Sequence, residues 1–235
     1  MIALEEIRAN TGKTEIFRGQ IQHVMIAALL TAGTYWLLRD NTGRFLGFGV
    51  MEWAAGTIAV TLAHQIIVAV VFRLQLHLGL MTRLLGKHAL KVWGAVFLPF
   101  LFGRPLLLLC AGVADMGSLE GNRVLQLLGG VLLLLPAGWA AHSVLKYFGI
   151  GRALGGDHFF DRYANMPLVK KGAFGYSSNA MYSFVFLGFW GIGLLCGSWN
   201  ALVLALFQHA YIWVHMYCTE GPDMETIYGR GQANL

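Results

Sequence analysis

The sequence predicts an all-α protein that crosses a lipid bilayer about six times and ends in a helical hairpin. Three observations predict it. Hydrophobic residues make up 57% of the 235 residues and charged residues only 12%, about half the charged share of an average soluble domain. The mean hydropathy is +0.59. The apolar residues also gather into runs close to the ~20 needed to cross ~30 Å of hydrocarbon as a helix. A helix closes its own backbone hydrogen bonds, which lipid cannot do for it.

The elements follow in order. Residues 1–18 mix Glu5, Glu6, Arg8, Lys13, Glu15 and Arg18. They are expected as an interfacial helix and not as a cleavable signal peptide, because they contain no apolar h-region. Apolar segments are predicted from about Ile21 to Leu38, Phe48 to Phe72 and Val92 to Val113, the third interrupted by Pro99 and by Arg104-Pro105. Further segments run from about Val124 to Phe148, Met181 to Cys196 and Ala201 to Tyr217. The fifth is short. Gly197-Ser198 between the last two reads as the tight turn of a hairpin. The stretch Leu74–Lys91 mixes leucines with His, Arg and Lys, which suits an amphipathic helix lying in the interface. The chain is expected to be a single transmembrane domain over residues 1–235, because neither polar stretch, Gly149–Gly175 nor Thr219–Leu235, is long enough to build a core of its own.

The charges orient this topology. Arg8, Lys13, Arg18, Arg73, Arg83, Lys87, Lys91, Lys146, Arg152, Arg162, Lys170, Lys171 and Arg230 fall on the side of the N-terminus, against Arg39, Arg44 and Arg123 opposite; Arg104 lies inside the third segment. The positive-inside rule makes the N-terminal side cytoplasmic, with both termini there. The net charge of +5 is therefore a membrane-orientation signal, and no nucleic-acid partner is expected. Cys110, Cys196 and Cys218 form no CxxC pair, so free thiols are expected, with no disulfide framework and no metal site.

Three features of the C-terminal half point to chemistry. The stretch GAFGYSSNAMYSF, Gly172 to Phe184, opens the fifth segment with Ser177, Ser178 and Asn179, which are good N-cap residues. A helix N-terminus suits a carboxylate or phosphate; the plain counterpart is a cap at a membrane interface, with Tyr176 and Tyr182 as belt aromatics. CTEGPDMETIYG, Cys218 to Gly229, brings Glu220, Asp223 and Glu225 to the same interface. Carboxylates there suit a ribose diol, a cation or the proton of an amine; the plain counterpart is a solvated tail. The hairpin is expected to return Glu220 close to Ser178 and Asn179. Finally, Gly138, His142 and Lys146 are spaced four apart along one helical stripe, which reads as a groove wall or as ordinary packing.

These features, in this order, resemble the integral-membrane methyltransferases that use S-adenosylmethionine, a family that includes phosphatidylethanolamine N-methyltransferases and isoprenylcysteine carboxyl methyltransferases. Its pattern GPYRYVRHPMYxG aligns without a gap on GAFGYSSNAMYSF, keeping Gly172, Tyr176, Met181 and Tyr182. Its EEPxLxxxYG aligns on EGPDMETIYG, keeping Glu220, Pro222, Tyr228 and Gly229. HFFDRYANMPLVKKG looks like the family's polar connector. The resemblance covers 138–229 as a catalytic half. The family's Arg-His-Pro is Ser178-Asn179-Ala180 here, and its second glutamate is Gly221.

The resemblance implies S-adenosylmethionine as cofactor, in a cytoplasm-facing pocket, and a membrane lipid arriving laterally from the bilayer. Phosphatidylethanolamine or its methylated forms are the expected acceptors. It implies Glu220 or Asp223 as the residue that meets the ammonium and relays its proton, Asp223 or Glu225 as stand-in for the missing second glutamate, and Glu220 and Glu225 also at the cofactor. Ser178 and Asn179 would hold the cofactor carboxylate or lipid phosphate, and Tyr176 or Tyr182 the adenine or sulfonium. Gly138, His142, Lys146 and Met181 complete the expected cofactor wall, and no metal is required. Alternatives are methylation of a prenylcysteine carboxylate or a thiol, a sterol-type reductase using NADPH, and a transporter whose path His64, Gln65, Arg104, His209 and His215 would line.

Overall fold

The computed structural model describes residues 3–229, and Arg230, counted above among the cytoplasmic charges, lies outside the described residues. A short helix, α1 (Leu4–Asn10), precedes α2 (Gln20–Leu37). A two-residue hairpin, β1 (Arg44–Phe45) with β2 (Phe48–Gly49), pairs Arg44 with Gly49 and leads into α3 (Val50–Leu78). α4 (Leu80–Leu85) and α5 (Ala89–Ala114) return, then α6 (Arg123–Ser143). Three four-residue helices fill the connector: α7 (Ile150–Ala153), α8 (Gly156–Phe159) and α9 (Asp161–Ala164). α10 (Leu187–Cys196), α11 (Trp199–His215) and α12 (Gly221–Tyr228) close the chain.

Four helical runs are long and apolar enough to cross a membrane: Val50–Leu78, Leu80–Ala114, Arg123–Phe148 and Trp199–Tyr228. The predicted first and fifth segments are helical as well, as the 18-residue α2 and the shorter run Met181–Cys196. Two local expectations are corrected. Leu74–Lys91 is not one interfacial helix: its first five residues are the last turn of α3, and Gly79, at φ +63°, breaks the chain before α4. His77 is accordingly buried. Nor is the third segment interrupted, for α5 runs through both Pro99 and Pro105. Neighbouring helices tolerate the amide that each proline lacks.

Small residues set the helix spacing, as expected where lipid supplies no hydrophobic drive between helices. A Cβ on Gly130 of α6 would lie 3.1 Å from the Gly191 carbonyl oxygen, and one on Gly191 of α10 would lie 3.0 Å from the Gly130 oxygen. A core of Ala54, Ile58, Leu108, Ala111, Leu204 and Phe207 joins α3, α5 and α11. Far from the chain ends, Asp115 accepts from the hydroxyls of Ser118 at 2.6 Å and Ser198 at 2.7 Å and from the Asn200 amide at 3.0 Å. Gly197 (φ +59°) ends α10, and the Ser198 hydroxyl caps α11 by accepting from the Ala201 amide at 2.9 Å. The predicted hairpin is therefore fixed at its turn. All three cysteines are free and buried.

The Gly130–Gly191 contact makes a prediction. Gly191→Val should force α10 off α6 and cost about 1–3 kcal/mol, as overpacking does. Thermal unfolding in detergent measures it, and an unchanged midpoint would refute the close contact.

Candidate functional site

Two of the long helical runs and the shorter fifth one loosen into a π turn at the same end of the bundle: Val144–Phe148 after α6, Met216–Glu220 between α11 and α12, and Met181–Val185 before α10. Such turns add one residue per loop of helix and often mark functional sites. All three hold residues that the sequence singles out: Lys146 in the first, Glu220 in the second, Met181 and Tyr182 in the third. The Tyr182 hydroxyl donates to Glu220 Oε1 at 2.5 Å. The same carboxylate oxygen is 3.6 Å from His215 Nε2, and the His215 ring meets His23 of α2 edge-on at 5.5 Å. Both ring nitrogens of His215 are buried without a hydrogen-bond partner.

A second polar group lies beside it. Arg73, near the end of α3 and 2% exposed, forms an ion pair with fully buried Asp223 at 3.0 Å. Its guanidinium also donates to the carbonyl oxygens of Arg18 at 2.9 Å, Cys218 at 3.2 Å, Thr219 at 3.3 Å and Glu15 at 3.3 Å. The other Asp223 oxygen is 3.2 Å from His158 Nε2, and His158 Nδ1 is 2.9 Å from Asp157. The Tyr228 hydroxyl donates to Asp157 at 3.1 Å. His158 stacks on Phe72 with ring centroids 4.2 Å apart, and Gly155 is the glycine that permits this, since a Cβ there would lie 2.3 Å from the Phe72 ring. Burial opposes charge on His158, but hydrogen bonds and attraction from Asp157 and Asp223 outweigh it and hold the imidazole pKa up at about 10. Burial likewise works to raise the Asp157 pKa, and the bond to His158 reverses it to a lowered value.

The expected site residues separate into two sets. The hairpin brings Glu220 to Tyr182 of the fifth segment; among the described residues no hydrogen bond or ion pair joins it to Ser178 or Asn179, the neighbours expected for it. Asp223 is engaged by Arg73 and His158, and Glu225 pairs with Arg18 at 2.8 Å. Ser177, Ser178 and Asn179 do not cap the fifth segment with their side chains: Ala180 occupies the cap position, and the Ser177 hydroxyl accepts from the Asn179 amide at 3.2 Å. Gly138, His142 and Lys146 stay exposed on α6 and its π turn. Nothing lies within 4 Å of a Cβ placed on Gly138. The ammonium of Lys146 lies over Tyr147, and exposed Tyr176 packs edge-on against Trp139 at 5.6 Å. Half-buried Met181 belongs to the cluster of Ala140, Phe174 and Ala180 that seats this stretch on α6. Among the described residues, no hydrogen bond or ion pair joins His142 or Lys146 to Glu220 or Asp223.

Sequence reasoning missed Arg73, His23, Asp157 and His158 as partners of the site. Arg73 carried a usable signal, since an arginine at the end of an apolar run needs a partner. His158 opens the stretch recognised only as a polar connector, and Asp157 precedes it directly.

Comparison with known proteins adds a family match. Residues 125–231 match the model of the phospholipid methyltransferase family, a span that contains the motifs above. A phosphatidylethanolamine N-methyltransferase of Malassezia globosa is 37% identical over 100 residues, covering 43% of this chain and 10% of that protein. One of Clavispora lusitaniae is 31% identical over 127 residues, 51% of this chain and 14% of that protein. One of Saccharomyces cerevisiae is 33% identical over 105 residues, 43% and 12%. The alignments thus span only 10% to 14% of these curated relatives. No solved structure matches the chain.

The buried histidine gives a pH prediction. With its pKa raised to about 10 from an ordinary 6.5, protonated His158 contributes stability that is complete below pH 6.5 and disappears as the pH rises through 10. His158→Gln should therefore be less stable than the parent at pH 6, by about 3–5 kcal/mol if the whole pair is lost, with the gap narrowing toward pH 10. Thermal unfolding across that range tests it; parallel curves would show that His158 is not charged.

Proposed function

We propose that this protein transfers a methyl group from S-adenosylmethionine to the amine of a membrane phospholipid, phosphatidylethanolamine or its methylated forms, a reading supported by the match of residues 125–231 to the phospholipid methyltransferase family model. The observation that carries the reading is the Tyr182–Glu220 hydrogen bond at 2.5 Å. It joins the two motif stretches, 38 residues apart, at one point of the bundle end. The site is proposed to face the cytoplasm, because thirteen of the 17 lysines and arginines fall on that side. A charged, water-soluble donor and a lipid-anchored acceptor then each arrive from their own phase.

The residues of the α6 face fit the donor. Gly138 opens onto free space. Lys146 has no carboxylate partner among the described residues and offers its charge to a carboxylate; Trp139 and Tyr176 offer rings to an adenine. His142 and Ser178, both exposed, and Asn179 and Met181 complete that wall. When bound, S-adenosylmethionine supplies an electrophilic methyl group. The protein supplies proximity and orientation, and it must receive the acceptor amine without its proton. Glu220 is assigned to that task. It is held in place by the Tyr182 hydroxyl and backed by His215, so it can meet the ammonium and pass its proton inward or to solvent.

Asp223 is assigned a positioning role instead, since Arg73 and His158 occupy its carboxylate. Glu225 is assigned to tethering residues 13–18 through Arg18. Neither replaces the second glutamate of the family pattern.

Calorimetry of S-adenosylmethionine binding to the purified protein, with NADPH as control, tests the class. Binding of the first and not the second is expected, followed by transfer of a labelled methyl group to phosphatidylethanolamine. Glu220→Gln should lower turnover by about 10²–10⁴, the range of general acid–base contributions, while His88→Ala on the exposed α4–α5 turn should change nothing. NADPH binding alone would favour the reductase.

A further inference from the structure

One cluster of buried polar groups plays no part in the reading above. Arg104 is 2% exposed in the middle of α5. Its Nε donates to Gln208 Oε1 of α11 at 2.9 Å, and its guanidinium lies 5.1 Å from the Phe186 ring and 5.8 Å from the Phe189 ring of the α10 segment. Nη2 has no partner, and among the described residues no carboxylate pairs with this cation. The amide nitrogens of Gln208 and Gln65 are also buried without acceptors. His64, stacked 6.0 Å over Phe100 one turn from Arg104, has neither ring nitrogen bonded.

The imbalance has one sign. The unpartnered atoms of Arg104, Gln65 and Gln208 are all donors, and the one formal charge is positive. A buried cation without a counter-ion is among the most costly arrangements a membrane bundle can hold. What would complete it is an anion rich in acceptor oxygens.

Its position suggests which anion. Phe186 is one helical turn from Tyr182, their rings 6.4 Å apart, so Arg104 lies about one turn deeper in the bundle than the Tyr182–Glu220 pair. An aminophospholipid carries its amine outermost and its phosphodiester one short linker deeper. The two protein charges repeat that order: Glu220 for the ammonium and Arg104 below it for the phosphate. We propose that Arg104, with Gln208, is the phosphodiester-binding and specificity-determining site for the lipid acceptor. The inference rests on the phospholipid reading of the site. Arginine suits the task because its planar donors match phosphate oxygens in pairs. Both α5 and Arg104 lie outside the family-matched residues, so the N-terminal half of the chain would choose the acceptor.

The test uses Arg104→Met, together with Arg104→Met/Gln208→Leu, which also removes the acceptor that the first change abandons. Four quantities are read on the full chain: the KM for phosphatidylethanolamine in mixed micelles, the affinity for S-adenosylmethionine, the thermal midpoint, and retention of phosphatidylmethanol, a phosphodiester lipid without an amine, in native mass spectrometry. The KM should rise about tenfold or more, with donor affinity within about twofold and phosphatidylmethanol retention lost. The thermal midpoint of the double variant should hold or rise, because an uncompensated charge has gone. A tenfold loss of donor affinity would assign the cluster to the donor's carboxylate and overturn the proposal. A lower midpoint with KM unchanged would make Arg104 a packing residue and overturn it too. Wild-type protein that retains phosphatidylmethanol through Arg104 but methylates no lipid would support the phosphate site while sinking the methyltransferase reading.

Discussion

A guanidinium buried at the end of a membrane helix has to be both neutralised and hydrogen-bonded, and Arg73 meets that demand only by gathering distant parts of the chain. Its partners are the carbonyl oxygens of Glu15 and Arg18, those of Cys218 and Thr219, and the carboxylate of Asp223. One side chain thereby fixes the exit of α11, the segment that leads into α2 and the end of α3 relative to one another. Glu220 follows directly on Thr219, so its position is set by the same contact. Asp223 passes the constraint on to His158 and Asp157 in the connector, and Tyr228 closes it from α12. The fixed point at the far end of the bundle is Asp115, which binds the hairpin turn. Between these two anchors the last helices have little freedom to slide.

The π turns are the local counterpart of that constraint. An ordinary helix places each side chain 100° from the last; a π turn shifts all later residues around the axis. At Met181–Val185 and Met216–Glu220 the shifts accompany a geometry in which Tyr182 faces Glu220 across the hairpin. Gly221 matters in the same place. The second glutamate of the family pattern would sit there, and a Cβ would approach the Met216 carbonyl oxygen to 3.2 Å. Glycine relieves that contact. The protein consequently has one carboxylate at this point and a histidine, His215, beside it.

Helix existence and order were legible in the sequence because hydropathy reports them directly: six apolar segments became helices, and the short fifth one stayed short. What failed was local. Pro99 and Pro105 look like breaks but are absorbed within α5, and the mixed stretch at Leu74–Lys91 divides at a left-handed glycine that composition does not reveal. In the site, motif spacing located Tyr182 and Glu220, since a tight hairpin returns the chain to its start. Spacing carries no information on partners from α2 and α3, so His23 was invisible as a member, and Arg73 was marked only as a buried cation in need of some partner. Glu225 and Asp223 looked equivalent to Glu220 in sequence. Only their neighbours separate them, because Arg18, Arg73 and His158 each claim a carboxylate that the sequence leaves free.

These contacts bear on how much of the chain holds the motifs in place. A boundary drawn at 138–229 encloses the motifs quoted above, and the family model matches residues 125–231. Yet Thr219, next to Glu220, is held by Arg73 of α3, His215 is packed against His23 of α2, and the guanidinium over the Phe186 ring comes from Arg104 of α5. Removing the first three long helices would leave Asp223 as a buried carboxylate without its guanidinium, which is costly enough to rearrange α12. The family-matched segment thus depends on side chains outside it for its buried charge pairs. The N-terminal half, outside the family match, supplies Arg73 and His23, which hold Asp223, Thr219 and His215 of the C-terminal segment in place.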